Sequence, residues 1–538
     1  MKDKKINVIR PVIMALVLMG GILIGIKLEH TAVYKRGLLF FPVSNKMTHA
    51  FNLIEKSYVD SVSAGALEEN AITGMLKILD PHTQYIPASN FSAVNDPLEG
   101  KFSGIGVQFN MLGDTAVILN TIPTGPSEKI GIMAGDRIIQ VNDSLVAGVK
   151  MQSNDIAKRL KGKTGTKVKV GIRRKENSGL LDFMVTRDKI PLVSIDAAYM
   201  ITPEIGYIKV NKFSKTTLQE FTDAAAELKT EGMKKLMIDL RENPGGIIDG
   251  AIGMSEMFLP AGKLIVYTKG NRQERRNYFS KGNNPEYVDM DLVLLIAESS
   301  ASASEIFAGA IQDNDRGTII GRRSYGKGLI QEQYSFSDGS AIRISVSRYY
   351  TPVGRCIQKP YKTRDSDNNS QYFNELETRY SHGEMDQADS IRFDDALQFI
   401  TPEGKEVYGG GGIMPDIFIP IDNSWISKYY EVAKRRGLIY AFAFYQVDKN
   451  RKELSRFKDY KSLQAYLYQR NILKEFVAYA ATRGLVKNDR DLKISGPVIE
   501  NMIMAYIARH ILDDKGYYPV LNQMDKTVQK GIEVLNNQ

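Results

Sequence analysis

The spacing of hydrophobic and polar positions changes several times along the 538 residues. An apolar run from Pro11 to Ile26 follows Lys2, Lys4, Lys5 and Arg10. From Asn45 to Ile86 the apolar positions recur at helical spacing (Phe51, Ile54 and Tyr58; Ala71, Met75 and Ile78), and Pro81 in DPHTQY, Asp80 to Tyr85, stops the helix. From about Gly100 to Asp188 the runs GIGVQF, AVILNTI, DRIIQVN, KVKVGIRR and LLDFMVTRD alternate and are separated by Gly, Pro, Asn and Asp. They predict a β-rich domain with one helix at NDIAKRLKG.

From Pro191 the pattern becomes strand–helix alternation. GYIKVNKF and KKLMIDLR flank the helix TTLQEFTDAAAELKTEG, and DLVLLIAE, SASEIFAGAIQDN and GTIIG follow. This βαβ rhythm implies buried, largely parallel strands. A polar insert from about Tyr361 to Asp389 precedes GGGGIMPDIFIP at Gly409 to Pro420, and the chain beyond Asn423 reads as helical. The expected organisation is α+β and multidomain. Residues 1–30 form a cytoplasmic tip and signal anchor, 31–95 a helical segment packing on the later core, 96–188 the β-rich domain, 189–422 the α/β core and 423–538 a helical domain.

Sixteen apolar residues at about 1.5 Å rise reach roughly 24 Å, short of a hydrocarbon core of about 30 Å, but Arg10 and Lys27 can snorkel to the interfaces. No small-x-small cleavage site follows, so an uncleaved anchor is expected ahead of a removed signal peptide. The positive cluster keeps the N-terminus cytoplasmic and sends the rest across the membrane.

With 43% hydrophobic and 25% charged residues the chain is neither disordered nor polytopic. One cysteine, Cys356, excludes an intramolecular disulfide and thiolate-rich metal sites. The net charge of +9 lies mostly in residues 423–538, where 20 Lys/Arg stand against 12 Asp/Glu, a net +8. A nucleic-acid surface is one reading of that basic, Tyr-rich region, but a solvated face or a partner surface fits it better, and no nucleic acid is expected as a partner.

Histidine is the first chemical filter. None of His30, His49, His82, His382 and His510 forms an H-E-x-x-H pair or stands beside a carboxylate cluster, and G-x-S-x-G and GxxxxGK[ST] are absent. No metal or cofactor is implied. AESSASASEIFAGAIQDN, Ala297 to Asn314, places serines on a strand-to-helix turn, where unpaired N–H groups and the helix dipole favour an alkoxide and an oxyanion. Ser302 with Glu305 is also an S-x-x-E capping box, so a helix cap and a nucleophile both fit.

Lys327 stands between Gly326 and Gly328, whose lack of side chains allows close backbone approach to a cleft. A desolvated lysine has a depressed pKa and can replace histidine as base toward a serine. Gln331 could orient it, or be an ordinary surface residue. Ser324 and Lys327 form an S-x-x-K, but without S-D-N, and with the KTG at Lys163 to Gly165 in the separate β-rich domain, the penicillin-recognising pattern fails.

DLRENPGGIIDGA, Asp239 to Ala251, offers Gly245 or Gly246 as a second oxyanion donor beside the N–H of Ala303. A plain strand-to-helix turn explains the same glycines. FSGIGVQF could present the N–H groups of Ser103, Gly104, Ile105, Gly106 and Val107 to a terminal carboxylate while a strand edge pairs with the peptide, or it is an ordinary glycine turn.

DPHTQY, FSGIGV, GPSEKIGIMAGDRIIQVN, GYIKVNKF, LMIDLRENPGG, SASASEIFAGAIQDN, GRRSYGKGLIQ, YYTPVGRCIQ and GGIMPD run in order over about residues 45–420. This series resembles the C-terminal processing (tail-specific) peptidases, Ser/Lys serine proteases that carry a PDZ domain. The resemblance implies a PDZ domain, β-sandwich-like, at 96–188 and a crotonase-like protease core at 189–422. Matched by position, the nucleophile falls on Ser302, the general base on Lys327 and the lysine-orienting glutamine on Gln331. Oxyanion donors would be Ala303 and Gly246 or Gly245, with Gly246 favoured.

The resemblance also implies substrates that are proteins or peptides with apolar C-termini, and a single-pass protein of a bacterial inner membrane with its catalytic part on the periplasmic side. A homo-oligomer or an activating partner protein is a further possibility under it. Ser299, where the family often has glycine, the polar insert and the basic helices depart from the pattern. A catalytically silent PDZ scaffold that captures tails is the competing expectation.

Overall fold

The computed structural model describes residues 12–21, 44–175, 177, 179–361, 368–391 and 394–537. Two compact units divide at Ile78 and Leu79. In the first, residues 12–21 are helical, and the rest of the expected anchor lies outside the described residues. No described helix is long and apolar enough to cross a membrane. The helical spacing from Asn45 forms two helices, Ser44–Ser57 and Ala64–Leu76, and no helix continues past Pro81; the strand Gln84–Ile86 follows in the second unit. The break before the second helix is set by Ser63, whose hydroxyl accepts the N–H of Ala66 as an N-cap.

In the second unit the core is a six-stranded sheet. Ile195–Met200, Ile205–Val210, Lys235–Asp239, Asp291–Ile296, Thr318–Gly321 and Ile417–Phe418 lie side by side in that order, all neighbours parallel except the first pair. Because both faces are covered, Leu236, Ile238, Leu292, Leu294 and Ile296 are buried in unbroken apolar runs. The helices Thr217–Thr230, Ile248–Phe258 and Ala303–Asp313 cover one face, where Phe221, Phe258 and Phe307 pack together.

The opposite face is covered by the last helix, Lys526–Asn537. Val528 and Leu535 pack on Ile205, Tyr207, Met237, Val293, Leu295 and Ile320. Gly531 permits that approach, since a β-carbon there would stand 2.6 Å from Met237 Cε. The region expected as one helical domain from 423 therefore ends as a layer of the α/β core. Its other helices, from Lys428–Arg435 to Asp514–Leu521, form their own core around Phe442, Phe476, Ile503 and Ala505.

A second sheet joins Gln84–Ile86, Ala341–Tyr350, Leu264–Lys269 and Arg276–Phe279, with Leu329–Ser335 also paired to Ala341–Tyr350. It fixes the end of DPHTQY across one strand from the one that carries Gln331, because Gln84 and Gln333 both pair with Arg343, on opposite sides of Ala341–Tyr350.

The β-sandwich-like expectation for 96–188 resolves into one antiparallel sheet and a two-stranded ribbon. The sheet runs Val107–Met111, Ala116–Thr121, Arg137–Val141, Lys167–Arg173 and Leu180–Thr186, with the helix Ser153–Leu160 packed on it through Ile156 and Leu160. The ribbon pairs Lys101–Gly104 with Asp188–Pro191 at the domain's entry and exit. Arg137 reaches Asp448 at 3.4 Å and Asn120 bonds Asp513, so this domain contacts the C-terminal helices through polar groups.

Candidate active site

The strand Asp291–Ile296 delivers the serine turn, and Ser302 is the N-cap of the helix Ala303–Asp313. Its φ of 54° is positive, a backbone conformation that L residues rarely adopt. The capping box forms, with the Ser302 N–H donating to Glu305 Oε2 at 2.8 Å. The neighbouring serines have structural roles. Ser300 Oγ donates to the Leu240 carbonyl at 2.8 Å and Ser304 Oγ to the Asn243 carbonyl at 3.1 Å, and both residues are buried. Ser299 is exposed. Ser324 Oγ donates to Glu305 Oε1 at 2.6 Å, which removes it from the S-x-x-K reading.

Ser302, Ala303, Gly245, Gly246, Lys327 and Gln331 line one cleft of about 460 Å³. Lys327 Nζ donates to Gln331 Oε1 at 2.9 Å, and Gln331 Nε2 donates to the His82 carbonyl at 2.8 Å. The amide is thereby oriented with its oxygen toward the lysine. Burial, with the Arg343 guanidinium adding to it, pushes the Lys327 ammonium below its ordinary value, and Asp80 and Glu305 oppose that shift. The flanking glycines serve close approach: a β-carbon at Gly328 would lie 2.8 Å from the Gln358 backbone nitrogen, and one at Gly326 would lie 3.1 Å from Lys359 Cβ.

Gly245 and Gly246 differ in what their N–H groups do. The Gly245 N–H donates to Asn243 Oδ1 at 2.8 Å. Among the described residues no protein acceptor takes the N–H of Gly246 or of Ala303. Both glycines are required by space. A β-carbon at Gly246 would stand 1.9 Å from the Phe213 carbonyl oxygen, and one at Gly245 would stand 2.8 Å from Ser302 Cβ. Gly246 is therefore the better placed donor of the two.

In the FSGIGV segment Ser103 and Gly104 pair with Lys189 and Asp188, so they belong to the ribbon. Ile105 and Gly106 form the turn before Val107 opens the edge strand, with Ile105 buried and Gly106 at φ 73°. Val107, Phe109 and Met111 are partly exposed apolar residues packed against this domain's core.

Sequence reasoning misses three contributors. Glu305, legible only as a cap residue, also accepts the N–H of Gly326 at 2.6 Å and of Lys327 at 2.9 Å, so one buried carboxylate holds the serine turn and the lysine loop. His82 lies in DPHTQY, where sequence reasoning gives it no role, yet its carbonyl accepts Gln331 Nε2. Its ring is lowered to about 4 by burial and by Lys327, so it is neutral near pH 7. Asn243 pins Gly245 through its side chain and accepts the Ala301 N–H on its carbonyl at 3.0 Å. The capping signal S-x-x-E is the one local hint of Glu305; the His82 contact and the Asn243 contact with Ala301 join segments distant in sequence.

A strained serine at a helix N-terminus, a buried lysine and two free N–H donors in one cleft define a serine hydrolase-type site on an α/β core with an appended antiparallel domain. Comparison with known proteins agrees. The peptidase family S41 profile matches residues 204–367, a PDZ domain profile 103–185, an activating protease CtpB N-terminal domain profile 30–89, and a family of unknown function 429–513. A carboxy-terminal-processing protease of Bartonella bacilliformis is 33% identical over 57% of this chain and 71% of that protein. A probable CtpA-like serine protease of Staphylococcus aureus is 32% identical over 60% of this chain, which spans 65% of that relative's length. The photosystem II D1 C-terminal processing protease is 28% identical, with 57% of this chain and 88% of that one covered at a TM-score of 0.32. The chain belongs to the carboxy-terminal-processing proteases of peptidase family S41.

Proposed function

We propose that the chain is a membrane-anchored serine endopeptidase that cleaves protein substrates near their C-terminus by a Ser/Lys mechanism. The observation that carries this reading is the cleft in which Ser302, the buried Lys327 and the unpaired N–H groups of Ala303 and Gly246 meet. Neutral Lys327 takes the Ser302 hydroxyl proton, and the alkoxide attacks the substrate carbonyl. Ala303 and Gly246 hold the oxyanion, and the Lys327 ammonium returns the proton to the leaving amine. Water, deprotonated by the same lysine, then releases the acyl-enzyme. Gln331 keeps the lysine aimed through both steps.

In this reading the turn at Ile105 and Gly106 takes the substrate's terminal carboxylate, and an apolar tail lies along the Val107–Met111 strand. The apolar run from Pro11 to Ile26 tethers the enzyme to a bacterial inner membrane, with the catalytic part on the periplasmic side. The full chain in detergent should degrade an unstructured polypeptide ending in apolar residues faster than the same polypeptide with a charged tail, and Ser302→Ala should bind it without turnover. Tail binding without turnover by the unsubstituted chain would instead identify a scaffold.

A further inference from the structure

The polar insert, which lies outside the family pattern, contributes a buried residue to the surroundings of the catalytic lysine. Its helix Asn368–Phe373 carries Tyr372, 5% exposed, whose hydroxyl stands 2.9 Å from His82 Nε2 and accepts from Gln358 Nε2 at 3.2 Å. Each contact leads to one flank of Lys327. On one side the His82 carbonyl accepts Gln331 Nε2, and Gln331 Oε1 accepts the lysine ammonium. On the other, Gln358 Oε1 accepts the N–H of Gly328, the residue after the lysine, at 2.8 Å.

The insert is held at this position by more than the phenol. Lys359 Nζ donates to the Tyr372 carbonyl at 3.1 Å and to Glu375 Oε2 at 3.0 Å, and lies 4.3 Å over the Tyr372 ring. Arg379 and Arg323 share Glu384, and Arg379 also donates to the carbonyls of Ser324 and Arg323 on the loop that leads to Lys327. The insert thus braces the lysine loop at its start and the lysine's partners at their far end. Gln358 donates to the phenol oxygen, and in the His82 tautomer that carries its proton on Nδ1 the ring Nε2 accepts the Tyr372 O–H. A buried network with every member satisfied holds its parts in one arrangement.

We propose that Tyr372 is a positioning residue for Lys327, acting through His82 and Gln331 on one side and through Gln358 and Gly328 on the other. The inference rests on the Ser/Lys reading. Loss of the hydroxyl should loosen the aim of the lysine without touching substrate, so turnover should suffer and binding should not.

The test is a double-mutant cycle on the full chain in detergent, using hydrolysis of an unstructured polypeptide with an apolar tail. Tyr372→Phe keeps the buried ring and is expected to lower kcat about 10-fold with KM within about twofold, a partial loss of aim that stays below the roughly 100-fold cost of a full 1 Å misplacement. In a Gln331→Ala background the same substitution should cause a clearly smaller further loss, that of the Gln358–Gly328 route alone. Tyr380→Phe, an exposed residue of the same insert, should leave kcat unchanged. His82→Gln removes the ring contact but keeps the carbonyl, and should reproduce the same kcat-selective loss if Tyr372→Phe proves unable to fold. An unchanged kcat in both Tyr372→Phe and His82→Gln, or losses that multiply in the Gln331→Ala background, would overturn the inference while leaving the Ser/Lys reading intact. An inactive unsubstituted chain, or full activity in Lys327→Ala, would overturn that reading and this inference with it.

Discussion

The backbone N–H groups of Ser302 and Lys327 meet on one carboxylate oxygen, Glu305 Oε2, at 2.8 and 2.9 Å. The other oxygen takes Ser324 Oγ and the Gly326 N–H, both at 2.6 Å. Ser302 and Lys327, on separate segments, are thereby fixed to one buried carboxylate. Burial pushes the Glu305 carboxyl up, and the four donors oppose that shift. Glu305→Gln replaces one acceptor oxygen by a donor that faces N–H or O–H groups. It should lower kcat about 100-fold and cost roughly 1–3 kcal/mol of stability, the penalty of unsatisfied buried groups. Steady-state kinetics and denaturant unfolding of the same preparation check both parts.

Lys327 must be neutral to act as base, so kcat/KM should fall as pH drops through its lowered pKa. Arg343 pushes that pKa down, Asp80 and Glu305 push it up, and the neutral His82 ring contributes no acid limb near pH 7. Removing the guanidinium in Arg343→Gln should raise the lysine's pKa and move the acid limb to higher pH. Asp80→Asn should move it to lower pH. Shifts of equal sign in the two variants, read from pH–rate profiles, would show that the limb belongs to another group.

Asn243 holds the Gly245–Gly246 turn against the serine turn, through Gly245 on its side chain and Ala301 on its carbonyl. Asn243→Ala leaves the Gly245 N–H free to turn and weakens the register of Gly246. A loss of about 10- to 100-fold in kcat is expected, below the cost of deleting an oxyanion donor outright. Substrate KM should change little, and steady-state kinetics on the apolar-tailed polypeptide check both values.

Asp239 is buried at the end of its strand, where it accepts Tyr207 Oη at 2.7 Å, Lys209 Nζ at 3.2 Å and the Arg241 guanidinium at 2.7 Å. Arg241 also reaches Asp525, just before the last helix, at 2.7 Å. Burial alone would raise the Asp239 carboxyl, but Arg241 and Lys209 hold it well below the usual carboxylate range. A lowered carboxylate stabilises the fold above its unfolded value of about 3.9, and that contribution is lost as pH falls through the folded value. Asp239→Asn leaves the buried Lys209 without a carboxylate and Arg241 with Asp525 alone, and should cost about 3 kcal/mol at neutral pH. The difference between variant and unsubstituted chain, measured by denaturant unfolding, should shrink in acid.

How much of this is legible in the sequence follows from distance along the chain. Ser302 with its cap signal, Lys327 between glycines and Gln331 four residues on are local patterns, and the alternating and βαβ rhythms announce both domains. The choice between Gly245 and Gly246 needs the fold, because it turns on which N–H the Asn243 side chain occupies. The His82 carbonyl lies 249 residues from Gln331, and its ring 290 residues from Tyr372. No periodicity encodes such pairings. The last helix reads as part of a separate domain because its amphipathic pattern shows an apolar face but not its partner, the sheet around Met237 and Val293.

The central claim is that Lys327 deprotonates Ser302 for peptide-bond cleavage. Hydrolysis of an apolar-tailed polypeptide by the unsubstituted chain, Ser302→Ala and Lys327→Ala, each shown folded by circular dichroism, tests it most directly. The account predicts turnover by the unsubstituted chain and loss of about 1000-fold or more in each variant, the scale of removing a nucleophile or its base. Retained turnover in either folded variant would contradict it.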